Sequence, residues 1–160
     1  MKNHFECTVR YERASENGSL AKVTERYLVD ALSFTEAETK MYQEIRSLVK
    51  GDFSVQAIKR KKYSDIVNAD ETINKVDSEI NKIVGANRNQ SDVADRWFEC
   101  KLNYITLDEE KGVEKKTPVL ILVNANSVNS ANDTLIRFMK GSMADYTIEK
   151  VAETKIITVF

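Results

Sequence analysis

One stretch of this chain occurs twice. Phe5-Glu6-Cys7-Thr8-Val9-Arg10-Tyr11 returns as Phe98-Glu99-Cys100-Lys101-Leu102-Asn103-Tyr104, an offset of 93. An offset of 94 then pairs Leu28 with Leu122, Val29 with Val123, Ala31 with Ala125, Ser33 with Ser127 and Ala37 with Ala131. The offset returns to 93 for Val55 with Ile148 and Ile58 with Val151. Chance does not hold register this way with slips of one residue confined to a turn and a helix end. Two copies are too few for a solenoid. The sequence therefore predicts a tandem duplication, two halves related by pseudo-twofold symmetry.

Each copy reads as a ββαβ unit, which makes the fold class α+β. Phe5, Cys7, Val9 and Tyr11 alternate with His4, Glu6, Thr8 and Arg10, the mark of a half-buried strand. Glu16-Asn17-Gly18-Ser19 is a turn, because Asn-Gly accepts positive φ at low cost. Residues 22–32 return as the second strand of a hairpin. Ser33-Phe34-Thr35-Glu36 fits a capping box. The helix it opens has an apolar stripe of Phe34, Ala37, Met41, Ile45 and Leu48, and Gly51 stops it. Phe53 to Lys62 is a third strand whose phase switches near Ala57, as at a bulge. A short fourth strand is expected around Tyr63–Val67.

The second copy follows the same plan. Asp108-Glu109-Glu110-Lys111-Gly112 is its turn, and Pro118 stands at a strand entrance. Val119-Leu120-Ile121-Leu122-Val123 is apolar on both faces, as in a central strand or one lining an oligomer interface. Asn126 or Ser127 caps a helix with Val128, Ala131, Leu135 and Phe138 inward. Between the copies, Ile73, Val76, Ile80 and Ile83 recur at helical spacing. The expected organisation is a first repeat at 1–67, an amphipathic helical linker at 68–94 and a second repeat at 95–160, forming one globule.

Catalytic chemistry has little to stand on. His4 is the single histidine and shares a strand face with Glu6, Thr8 and Arg10. Cys7 and Cys100 sit at equivalent inward positions, where free cysteine packs as a small hydrophobe, and no Cys-x-x-Cys suggests zinc. Glu6 and Glu99 point outward at matching positions, which suits a soluble sheet better than an acid–base pair. No Gly-rich phosphate loop is present. The expectation is a protein without catalytic residues, metal or cofactor. No apolar run approaches the length of a membrane span, and the N-terminus has no apolar signal core, so the expected location is the cytoplasm, away from membranes.

Charge offers a more pointed feature. The net charge is −1, which excludes a global field drawing the chain to nucleic acid. The first 67 residues nevertheless carry 12 basic and 10 acidic side chains against 12 and 15 in the remainder. The basic excess is local, in Lys59-Arg60-Lys61-Lys62. On a strand Lys59 and Lys61 face one side and Arg60 and Lys62 the other. Such a stripe can follow phosphates, with Tyr63 or Trp97 stacking a base and Lys115 and Lys116 extending the surface. The competing reading is an edge strand blunted by charge against aggregation. The second copy has Ala152-Glu153-Thr154-Lys155 there, so a basic site would be one-sided.

The chain resembles the Domain of Unknown Function 4494 family, found in Bacteroidota and in their phages and mobile elements. The resemblance lies in Phe5-Glu6-Cys7, in residues 27–38 from Tyr27 through Ser33 to Glu38, in Ile58-Lys59-Arg60-Lys61-Lys62-Tyr63, in Trp97-Phe98-Glu99-Cys100, in Lys115-Lys116-Thr117-Pro118 and in Met143-Ala144-Asp145-Tyr146. It spans nearly the whole chain and carries no activity to transfer. It implies an accessory protein of phage or mobile-element origin. Together with the basic strand it favours a non-enzymatic protein binding single-stranded nucleic acid through Lys59, Arg60, Lys61, Lys62, Tyr63, Trp97, Lys115 and Lys116. The alternative is an oligomeric protein, a homodimer for example, that binds a host protein or sequesters a ligand to counter host defence, using Val119–Val123 or the connecting helix.

Overall fold

The computed structural model describes residues 3–68 and 95–160. The segment read as a connecting helix, with Ile73, Val76, Ile80 and Ile83, lies outside the described residues. Elements run β1 (Asn3–Ala14), β2 (Leu20–Ala31), α1 (Phe34–Leu48), β3 (Phe53–Lys61) and β4 (Tyr63–Asn68) in the first repeat. The second repeats the order with β5 (Arg96–Asp108), β6 (Val113–Ala125), α2 (Val128–Met139), β7 (Asp145–Glu153) and β8 (Ile156–Val159). The chain is an α+β duplication, and its pairing shows how close the copies are. Cys7 lies opposite Ile58 and Cys100 opposite Val151, and the register slips between Thr8 and Val9 and again between Lys101 and Leu102. The bulge expected near Ala57 is present in both copies at the same place.

The two compact units do not coincide with the two repeats. One sheet has the order β3-β1-β2-β8 and the other β4-β6-β5-β7. The last strand of each repeat thus joins the sheet of the other, in parallel to β2 or β6. The units are accordingly residues 1–62 with 155–160, and residues 63–154. Even these strands keep the duplication. Leu28 is opposite Val159 and Leu122 opposite Ile66, again an offset of 93 between β4 and β8.

In the first unit the odd residues of β1 face the helix. Phe5, Cys7, Val9, Tyr27, Val29 and Ala31 pack against Ala37, Met41 and Ile45 in one buried cluster. Both helices begin where the sequence predicts. The Ser33 hydroxyl accepts from the Glu36 amide at 3.1 Å, while the Glu36 carboxylate accepts from the Leu32 amide at 3.0 Å. Ser127 accepts from the Ser130 amide at 3.1 Å. Each cap satisfies donors that a helix start leaves open. The apolar stripes are covered only in part. Phe34 and Leu48 at the ends of α1 are exposed, as are Val128 and Phe138 of α2, which were expected inward; Thr134 and Met139 are buried instead. Phe34 still meets Phe5 edge-on at 4.9 Å.

In the second unit Val67, Phe98, Cys100, Leu102, Ile121 and Val123 form the equivalent core with Ala131, Leu135 and Met139. Leu28 and Leu122 are also fully buried although they face away from the helices, so both faces of β2 and β6 are covered there. Pro118 lies within β6 rather than at its entrance. It precedes Leu120, where β4 begins to pair, so its missing donor falls where β6 has one neighbour strand. Among the described residues no helix is long and apolar enough to cross a membrane.

Candidate nucleic-acid interface

Strand alternation and register decide which cations meet. On the face of the first sheet away from α1, Glu6 lies between Leu28 and Lys59, Thr8 between Arg26 and Ala57, and Arg10 between Thr24 and Ser54. Lys61 lies opposite His4 on the same face. Arg10, Arg26, Lys59 and Lys61 therefore surround Thr8 and Glu6 on one surface. Directly opposite strands are about 4.8 Å apart and residues of one face recur about every 6.8 Å, so Lys59 and Arg26 are roughly 12 Å apart at their Cα atoms.

Glu6 is the carboxylate at the centre of this face. Arg26 reaches it at 3.3 Å and Lys61 at 3.6 Å, and its side chain keeps only 13% exposure. One acid thus holds two bases in place. Arg10 and Lys59 are exposed and enter no ion pair among the described residues. An open groove of about 660 Å³ adjoins Arg10, lined by Lys22 and Lys50 and by Glu12 and Asp52, along with Tyr11 and Phe53.

The other predicted residues lie off this face of the first sheet or belong to the second unit. Arg60 pairs with Phe5, on the helix side of the sheet, and donates to Asn3 Oδ1 at 2.9 Å. Lys62 is exposed in the single residue between β3 and β4. Tyr63 belongs to the second unit, is 6% exposed and donates its hydroxyl to Glu99 at 2.9 Å. A ring so covered presents no face for a base to stack on. Trp97 is half-buried at one end of the β5–β6 hairpin, opposite Asn124. Lys115 and Lys116 lie toward the other end, opposite Thr106 and Ile105 and on opposite faces. Eight residues of strand separate Trp97 from Ile105, roughly 27 Å. The structure does not gather Trp97 with these lysines.

Other candidate chemistry is used within the fold. Cys7 and Cys100 are buried, and desolvation, with a smaller push from Glu6 or Glu99, raises their pKa to about 12 and about 11. Such thiols are poor nucleophiles at neutral pH. Glu25, on the helix side of β2, accepts from Tyr11 at 2.7 Å, from Arg13 at 3.3 Å and from Tyr27. Burial, then the bond to Glu25, pushes the Tyr27 hydroxyl well above its usual range. Ile121, Leu122 and Val123 are fully buried, so most of the apolar strand once available to a partner is consumed by the core. Among the described residues no group of three His, Cys, Asp or Glu side chains could hold a metal.

The family model described as a domain of unknown function, DUF4494, matches residues 3–160. The chain belongs to this family. The DUF4494 match begins at the first residue of β1 and runs past β8, so it takes in both repeats and both exchanged strands. No curated protein matches the chain.

Within this DUF4494 chain the two copies differ sharply at the cationic face. Residues equivalent to Arg10, Arg26, Lys59 and Lys61 are Asn103, Leu120, Ala152 and Thr154. Four cations on the first sheet correspond to four uncharged residues on the second, which carries Lys101 and Lys150 instead at the positions of Thr8 and Ala57. Sequence reading found Lys59 and Lys61 because they adjoin in the chain. It missed Arg10 and Arg26, which join them only through the pairing of Thr8 with Arg26 and with Ala57.

Proposed function

We propose that this protein is a non-enzymatic binding module and that the exposed part of the face away from α1, at Arg10, Arg26 and Lys59, holds the phosphate backbone of a nucleic acid. The observation that carries this reading is the difference between the copies. A requirement of the fold falls on both repeats, yet Arg10, Arg26, Lys59 and Lys61 have only uncharged counterparts in the second. Lysine and arginine fixed on a sheet contact phosphates without reading bases. The rings of Phe5 and Tyr27 lie on the helix side of this unit, whereas Tyr11 and Phe53 line the groove beside Arg10. The proposed contact is with the backbone and tolerant of base sequence, without the stacking that Tyr63 was expected to supply.

Salt dependence checks this reading. With three phosphate contacts, from Arg10, Arg26 and Lys59, the logarithm of the binding constant for a single strand falls against the logarithm of salt concentration with a slope of about −2. The measurement is fluorescence anisotropy of a labelled oligonucleotide titrated with the protein. Absence of binding at low salt, or binding indifferent to salt, removes the proposal.

A protein partner is a second reading, favoured by one observation. Where the first sheet carries Glu12, Thr24 and Arg26 the second carries Ile105, Pro118 and Leu120, and Leu107 beside them is 66% exposed. A partner seated there would be lost on Leu107→Lys, while oligonucleotide binding would be unaffected.

A further inference from the structure

β8 is the shortest strand among the described residues, and it completes a sheet to which its own repeat contributes nothing else. Thr154 and Lys155 alone separate it from β7. Thr154 is anchored in the second unit, where its amide and its hydroxyl both donate to the Trp97 carbonyl, at 2.8 and 2.9 Å. Just beyond, the chain is anchored in the first unit. Ile156 is 4% exposed, the Phe160 amide donates to the Leu28 carbonyl at 2.9 Å, and the Phe160 ring stacks on Tyr27 with centroids 5.5 Å apart. The other passage between units is as short: β3 ends at Lys61 and β4 begins at Tyr63.

We propose that the position beside β2 is a strand acceptor that a second copy of this chain can fill with its own Ile156–Phe160. Two chains then form a dimer in which the first unit of each is completed by the final strand of its partner. Every contact that β8 makes within one chain is available, unchanged, between two. The balance is then set by concentration and by the connecting segments, which is the condition for domain swapping. Short connections favour the exchange because they constrain the closed monomer more than the dimer. An empty acceptor would leave Tyr27 and Leu28 on an unpaired strand edge, so the site favours some occupant over none. The uncharged sequence Ile-Ile-Thr-Val matches that edge.

The test is refolding of the full chain from denaturant at low and at high protein concentration, followed by size exclusion with light scattering. A dimer fraction that rises with the concentration at refolding is expected. Phe160→Ala weakens β8 in the closed monomer and in the exchanged dimer alike, and is expected to leave that fraction unchanged. A Gly-Gly insertion between Thr154 and Lys155 leaves β8 intact, preserves the far-ultraviolet circular dichroism and lowers the fraction several-fold. A chain that stays monomeric throughout, or a dimer indifferent to the insertion, overturns the proposal.

Discussion

Tyr63 donates its hydroxyl to Glu99 at 2.9 Å, reaching over β6 from the edge strand β4 to β5. A residue from the end of the first repeat thereby holds the carboxylate at the centre of the second sheet. In the first sheet the equivalent carboxylate, Glu6, is held by Arg26 and Lys61 instead. The same position accepts from the Tyr63 hydroxyl in one copy and from two cations in the other.

Tyr63→Phe tests that bond. The ring keeps its burial and a half-buried carboxylate loses a donor, so unfolding in urea is expected to show a loss of about 1–2 kcal/mol. Oligonucleotide affinity stays at the wild-type value, because the ring is covered.

Glu25 stands between the Tyr11 and Tyr27 hydroxyls. Glu25→Val is expected to cost about 2–3 kcal/mol, since it strands a buried hydroxyl on Tyr27. Adding Tyr27→Phe removes that hydroxyl while keeping the stack on Phe160. The double variant is therefore expected to be more stable than Glu25→Val alone, and denaturation of the pair decides it.

The two caps offer a matched comparison. Ser33→Ala and Ser127→Ala each remove one hydroxyl acceptor at a helix start, with an expected loss of about 1 kcal/mol. In Ser33→Ala the Glu36 carboxylate still accepts from the Leu32 amide. The α2 variant, which has no acidic residue in its first turn, is expected to lose more in thermal unfolding.

Burial of the thiols sets an alkaline limit. The pKa values of Cys7 and Cys100 are raised on folding from 9.0 to about 12 and about 11. The folded state therefore favours the neutral thiol. Its stabilisation is complete below about pH 9 and is lost as the pH rises through that value toward 11 and 12. Stability measured against pH is expected to fall from pH 9 upward, and a Cys7→Ala/Cys100→Ala variant to show a shallower fall.

The duplication was legible in the sequence because matching residues keep matching neighbours: the offsets 93 and 94 recur as strand register. The bulge near Ala57 showed as a change of phase, and Ser33 and Ser127 showed as caps. The destination of β4 and β8 did not show. Alternation in Tyr63–Val67 marks a strand, but which edge it joins depends on packing between segments far apart in sequence. The cationic face was half legible for the same reason. Lys59 and Lys61 are neighbours in the chain, whereas Arg10 and Arg26 become their neighbours only when three strands align. Tyr63 followed the lysines in sequence and looked available, yet the chain changes sheets at that residue and buries it.

The most direct measurement exchanges residues between the copies. Arg10→Asn/Lys59→Ala gives the first sheet the residues that the second carries at these positions, and anisotropy of a labelled oligonucleotide at low salt reports the result. The proposal predicts affinity weakened roughly tenfold or more, with the melting temperature unchanged. In parallel, Lys115→Ala/Lys116→Ala is expected to leave binding at the wild-type level. Equal affinity for wild type and the Arg10→Asn/Lys59→Ala variant would contradict the assignment of the cationic face.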